Sequence, residues 1–331
     1  MSAATRSAVA PRLATLSPAW RLGLLALLAA ATITAFMTLG AQGNWSFVLT
    51  FRSGKLAAML LVAYAIAVSS VLFQTVTHNR ILTPSIMGFD ALYVLIQSLL
   101  VLALGLGLAS PGLNSPLKFL AEVALMTGMA CLLFRWLFTG AAQSLHRMML
   151  VGIIFGLLFR SLSSFIMRLI DPNEFMMLQD RLFASFNTIP TNLLGIAALA
   201  LAAASLLAWR LLPRYDVLAL GREIAINLGI DHQRTVMLTL MLIAVMVSVS
   251  TALVGPVTFF GLLVSNLAYR LMGSDRHRVT LPAAVLIAII FLVGGQTLLE
   301  RVLMFNATVS VVIEFVGGLL FIYLVTRKAR R

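Results

Sequence analysis

Charge is what this chain has least of. Only 11% of its 331 residues are charged, and Asp and Glu number 11 against 24 Lys and Arg. A water-soluble domain carries about 25% charged and about 45–50% apolar residues, whereas 61% here are apolar. No soluble fold has the interior to hide that many apolar side chains, so the chain reads as an all-α polytopic membrane protein. Cysteine is nearly absent. Cys131 stands alone in an apolar run, which excludes an intrachain disulfide and every cysteine-based metal spacing. Catalytic patterns are missing too: there is no H-E-x-x-H, no G-x-S-x-G and no paired-carboxylate site. The phosphate-cradling G-x-x-x-x-G-K-[ST] is also absent. The chain is therefore expected to be no enzyme, to use no cofactor or metal, and to be unable to hydrolyse ATP by itself.

What is present is length in apolar runs. A bilayer core of about 30 Å needs about 20 apolar residues per helix. That ruler places ten spans, near residues 21–40, 55–75, 87–108, 117–138, 147–170, 190–212, 233–254, 256–272, 280–298 and 307–326. The eighth is short, begins at Gly255-Pro256 and contains Gly261, the composition of a broken or tilted helix. The run from Leu22 to Leu39 is too long for the core of a signal peptide and no A-x-A pattern follows it. It reads as a first span behind a tail over residues 1–20. The net charge of +13 has a membrane explanation rather than a nucleic-acid one. With the amino terminus in the cytoplasm, most Arg and Lys fall in inner loops and in the tail 327–331, while Arg52, Lys55, Lys118, Arg168, Arg181 and Arg301 fall outside. That imbalance predicts both termini on the cytoplasmic side.

Two stretches between spans have structure of their own. Residues 171–187 open with Asp171-Pro172, a helix start. Phe175, Met176, Leu178, Leu182 and Phe183 are expected to form the apolar face of a short helix on the outer surface. Residues 216–232, DVLALGREIAINLGIDH, lie between the sixth and seventh spans. Leu218, Leu220, Ile224, Leu228 and Ile230 recur there at roughly helical spacing, with Arg222 and Glu223 among them. Gly221 and Gly229 punctuate the stretch, which predicts two short surface helices with a turn at each glycine. Within the fifth span, Arg160 is an intramembrane charge whose burial costs at least about 2.5–3.5 kcal/mol. It is expected to face a partner or a wet pathway together with Ser161, Ser163 and Ser164. Glu122, Glu300 and Glu314 lie in or near spans. A proton-coupled carrier would need such carboxylates, although these are scattered.

Several blocks, in order, carry a resemblance. ALVGPVTFFGLLVSNLAYRLMGSDRHRVTLPAAVL contains an aromatic-GL run, an arginine, an L-x-G-x-D-R loop and LP-small. Phe51-Arg52, Lys55, SSVLFQT, His78-Asn79-Arg80 and TPSIMGFD form a second block, and VVIEFVGGLLFIYLV closes the chain. Together they resemble the FecCD-type permeases of type II ABC importers, which carry ferric siderophores, haem or vitamin B12. NRILTPSIMGFDALYVLIQ and LIDPNEFMMLQDRLFASFN resemble the catecholate-siderophore branch. Ser265-Asn266, Gly317-Gly318 and Asn79-Arg80-Ile81 depart from the family's commoner P-H, G-x-P and R-N-P.

The resemblance implies a single permease domain over 1–331 in a bacterial inner membrane, with no nucleic-acid partner. It implies a cytoplasmic ABC ATPase dimer, a second homologous permease, and a periplasmic ferric-siderophore-binding protein. It assigns Leu220, Gly221, Arg222, Glu223, Leu228 and Gly229 to coupling with the ATPase. It assigns Arg52, Lys55 and Arg301 to docking of the binding protein. Gln74, Arg160, Ser161 and Ser164 are the candidates for the pathway. A haem or cobalamin importer, and a proton-coupled carrier, are the alternatives.

Overall fold

The computed structural model describes residues 17–40, 45–106, 115–138, 145–186, 191–301 and isolated positions between 312 and 326. The described residues form α-helices throughout, twelve of them, and no strand. The long ones are α1 (Pro18–Thr38), α2 (Trp45–Thr77), α3 (Asp90–Gly105), α4 (Ser115–Phe138) and α5 (Leu145–Met167), then α7 (Thr191–Arg210), α10 (His232–Val254) and α12 (His277–Arg301). The shorter ones are α6 (Pro172–Leu182), α8 (Leu212–Leu218), α9 (Arg222–Asn227) and α11 (Phe260–Met272). A π-helical turn over Ser85–Phe89 leads into α3.

Eight of the described helices are long and apolar enough to cross a membrane, and they match eight of the expected spans. The expected eighth span is the exception. Its helix, α11, has 13 residues, about 20 Å at 1.5 Å per residue, too short for a 30 Å core. Gly255 ends α10 at φ 95° and Phe259 sits at φ 61°, so residues 255–259 are the irregular half of that span. The expected tenth span, 307–326, and the tail 327–331 lie outside the continuously described residues, as does the 1–20 tail up to residue 16.

The core follows from which helices are apolar all round. Most of α10 is buried, and so are long stretches of α2, including Ala58, Val62, Ala65, Phe73 and Val76. Around them pack α4, α7, α11 and α12. Small residues bring the backbones close: a Cβ on Gly261 of α11 would run into Ser70 of α2. In contrast, α1 buries only Ala29 and Phe36 and leans on α12. A second apolar cluster joins α3 to α5, with Leu178 of α6 beneath it.

Helix α6 starts where the sequence placed it, with the Asp171 carboxylate accepting from the Asn173 N–H at 2.9 Å. Leu178 turns inward as expected and is fully buried, but Met176 and Phe183 face outward. At helical pitch Met176 lies two residues from Leu178 and so falls on the opposite face. Phe183 lies past the end of the helix.

Candidate functional site

The 212–232 stretch folds as two short helices because its local signals agree. Pro213 suits the first turn of α8, where its missing N–H costs nothing. Gly221 at φ 107° opens α9 and Gly229 at φ 82° closes it. At the closing end the Gly229 N–H donates to the Ile226 carbonyl (2.9 Å) and the Ile230 N–H to the Ala225 carbonyl (3.0 Å). That pair of bonds is the helix stop that calls for a left-handed residue. Nothing lies within 4 Å of where a Cβ would sit on either glycine. Backbone conformation, not crowding, therefore selects glycine at both. Asp231 then starts α10, its carboxylate accepting from the Arg234 N–H at 3.0 Å.

The two helices differ in what they touch. Helix α8 is anchored: Tyr215 and Leu218 are buried, and α8 packs on α2, α7 and α12. Burial pushes the Tyr215 hydroxyl up to about 12, so it stays neutral. Helix α9 stands off, sinking only Ala225. Leu220, Ile224, Ile226 and Leu228 are 48–60% exposed on and beside it, with Arg222 and Glu223 also exposed. Four large aliphatics exposed around one short helix make this a candidate interaction surface. All six of the expected coupling residues thus lie in one place.

Beneath this surface lies a polar cleft of about 630 Å³ between α2, α8, α11 and the start of α12. Arg80 pairs with Asp275 and lies 4.5 Å over the Tyr269 ring. Its carbonyl accepts from Gln74 Nε2 and from Asn266 Nδ2, each at 2.8 Å. His277 is buried; its Nδ1 is 2.7 Å from Asp216 Oδ1, and its Nε2 is 2.7 Å from Thr75 Oγ1.

The expected docking residues gather at the opposite end. Arg52 donates to the Phe36, Met37 and Leu39 carbonyls at 2.9–3.0 Å, and Arg301 also donates to Leu39. Both cations cap the last turn of α1, which lacks a basic residue of its own. Lys55 instead forms an ion pair with Glu300, with side chains 9% and 13% exposed. Its charge is spent inside the bundle.

The expected pathway residues are not brought together. Gln74 is buried in the cleft wall, whereas Arg160, Ser161 and Ser164 are exposed on α5 beside Leu157, Leu158 and Phe165. Glu122 lies 3.9 Å from Lys118, and Glu314 lies outside the described residues.

Sequence reasoning missed Asp216, His277 and Thr75 as a set, since three elements bring them together. The available signal was a histidine just after the L-x-G-x-D loop. It also missed Asp90, a buried carboxylate that accepts from Thr258 Oγ1 at 2.9 Å and ties the start of α3 to the irregular 255–259 link.

An α-helical bundle of membrane-crossing helices, one of them broken, with a two-helix surface element at one end, defines a polytopic membrane permease. The profile of the FecCD transport family matches residues 17–327, and the chain belongs to that family. It is thus a permease of an ABC importer family. The chain is 46% identical to the petrobactin import system permease protein YclO of Bacillus subtilis, over 86% of this chain and 90% of that one. It is 37% identical to the petrobactin import system permease protein FatC of Bacillus anthracis, over 84% and 78%. The ferric enterobactin transport system permease protein FepD of Escherichia coli is 28% identical over 93% and 90%. A solved metal-chelate type ABC transporter in an inward-facing conformation shares the fold. Its TM-score is 0.80 at 22% identity, and the match covers 94% of this chain and 99% of that one.

Proposed function

We propose that this chain is the permease subunit of an ATP-driven, binding-protein-dependent importer that carries a ferric siderophore, of catecholate type, across a bacterial inner membrane. The observation that carries the reading is the cluster of exposed aliphatics Leu220, Ile224, Ile226 and Leu228 on and beside α9, a helix bounded by two glycine turns. A membrane bundle without a nucleotide site of its own needs a place for an ATPase to push, and this surface supplies one. The end bearing α8 and α9 is then cytoplasmic, and both termini are cytoplasmic with it. Arg52 and Arg301 lie at the other end, where a loaded binding protein would dock against them. A second, homologous permease completes a heterodimer around the pathway. The relatives named for petrobactin and enterobactin import support a siderophore as cargo.

The test is radio-iron uptake from a panel of chelates, with ferric petrobactin first and haem and cobalamin as comparators, in cells with and without this chain. Loss of uptake for one ferric siderophore is the expected result. Undiminished uptake of every chelate in the deleted strain overturns the assignment.

A further inference from the structure

A push on α9 moves cargo only if something stiff joins it to the spans. Helix α9 itself touches little besides α8 and α10, and of these two α8 is the one tied by side-chain hydrogen bonds to other spans. There, Asp216 Oδ1 accepts from the His277 backbone N–H at 2.9 Å and faces the ring Nδ1 at 2.7 Å. His277 is the first residue of α12. Its N–H is one of the four donors that a helix leaves unsatisfied at its start. A carboxylate from an element 61 residues away thus caps α12, where the helix dipole also favours negative charge. The other ring nitrogen reaches Thr75 on α2. Nε2 and the Thr75 hydroxyl share a hydrogen bond whose direction follows the ring tautomer, and the same hydroxyl donates to the Val71 carbonyl on its own helix at 3.0 Å. One buried imidazole therefore pins α8, α12 and α2 together. At the far end, α2 and α12 are tied again by Lys55 and Glu300, and Arg52 and Arg301 both grip the end of α1.

We propose that Asp216, His277 and Thr75 are positioning residues that latch the partner-facing surface to a two-helix lever, α2 with α12, which carries motion from that surface to the opposite end of the bundle. The inference rests on the reading that α9 receives an ATPase. Closure of the ATPase displaces α8; the latch passes the displacement to α12 and α2 together; the second tie keeps them moving as one body.

The test uses the whole complex with its ATPase in lipid nanodiscs. The background is Cys131→Ser with Ser53→Cys, an exposed position near the far end of α2, and the probe is a membrane-impermeant maleimide. In that background, ATP with vanadate should change the labelling rate at position 53 by at least about fivefold, the low end of coupling between distant sites. With Asp216→Asn or Thr75→Val the ATPase should still co-purify and turn over ATP, while the labelling change is lost. Thr75→Ser, which keeps the hydroxyl, should retain it. A full labelling response in Asp216→Asn and Thr75→Val overturns the latch, as does an absent response in the background chain. A separate variant, Leu228→Asp, tests the underlying reading. If the ATPase binds it undiminished, the docking surface is misassigned, whatever the latch variants do.

Discussion

At the scale of single residues, two left-handed positions make opposite predictions. Gly229 is already the residue its φ of 82° favours. Gly229→Ala should cost about 1–2 kcal/mol through backbone strain alone, because nothing stands within 4 Å of the added methyl. A thermal melt of the purified chain reads the loss. His78 is the reverse case. It closes α2 at φ 48°, its N–H bonded to the Thr75 carbonyl and the Asn79 N–H to the Gln74 carbonyl. That is the same helix stop with a side chain where glycine is preferred. His78→Gly should raise stability, by up to about 1 kcal/mol, seen as a higher melting temperature. Both glycine turns were legible in the sequence, because glycine spacing is a local signal. The strained histidine was not, since no sequence pattern marks a helix stop made without glycine.

Among elements, the tie between α2 and α12 can be weighed by a double-mutant cycle. Removing one partner of a buried ion pair strands a charge, so Lys55→Met or Glu300→Leu alone should cost about 3 kcal/mol. The double variant should recover most of that, since two apolar side chains can replace a buried pair nearly neutrally. Melting temperatures of the four proteins close the cycle. A cost that simply adds in the double variant would show that the pair contributes no coupling. The sequence placed Lys55 among the docking residues because a lysine outside runs against the charge rule. Only the packing of α12 beside α2 shows that Glu300 neutralises it. The apolar face of α6 was misjudged at Met176 for a related reason: a short run of mixed hydrophobics does not declare its phase until a neighbour, here α3, takes one side.

For the whole molecule, the basic end predicts electrostatic steering. Arg301→Glu should slow association of the substrate-loaded binding protein about tenfold at low salt, with the difference shrinking as ionic strength rises. Stopped-flow association at two salt concentrations checks this. Because Arg301 also holds the Leu39 carbonyl, a melt of the variant accompanies it. Equal association rates at low salt would remove Arg301 from the docking surface.

The sequence alone determined that the chain is a helical membrane protein, roughly where eight of its spans run, that α11 is broken, and where the glycine turns around α9 fall, although α8 begins at Leu212, four residues before the expected stretch. Those features depend on local quantities: apolar run length, proline and glycine placement, and capping residues. Tertiary structure decided which charges are free and which are paired, because pairing joins residues as distant as Lys55 and Glu300 or Thr75 and His277. It also placed Gln74 buried on α2 and Arg160 exposed on α5. In an apolar medium a polar group is held where it finds a partner, and the fold alone sets which partner lies within reach.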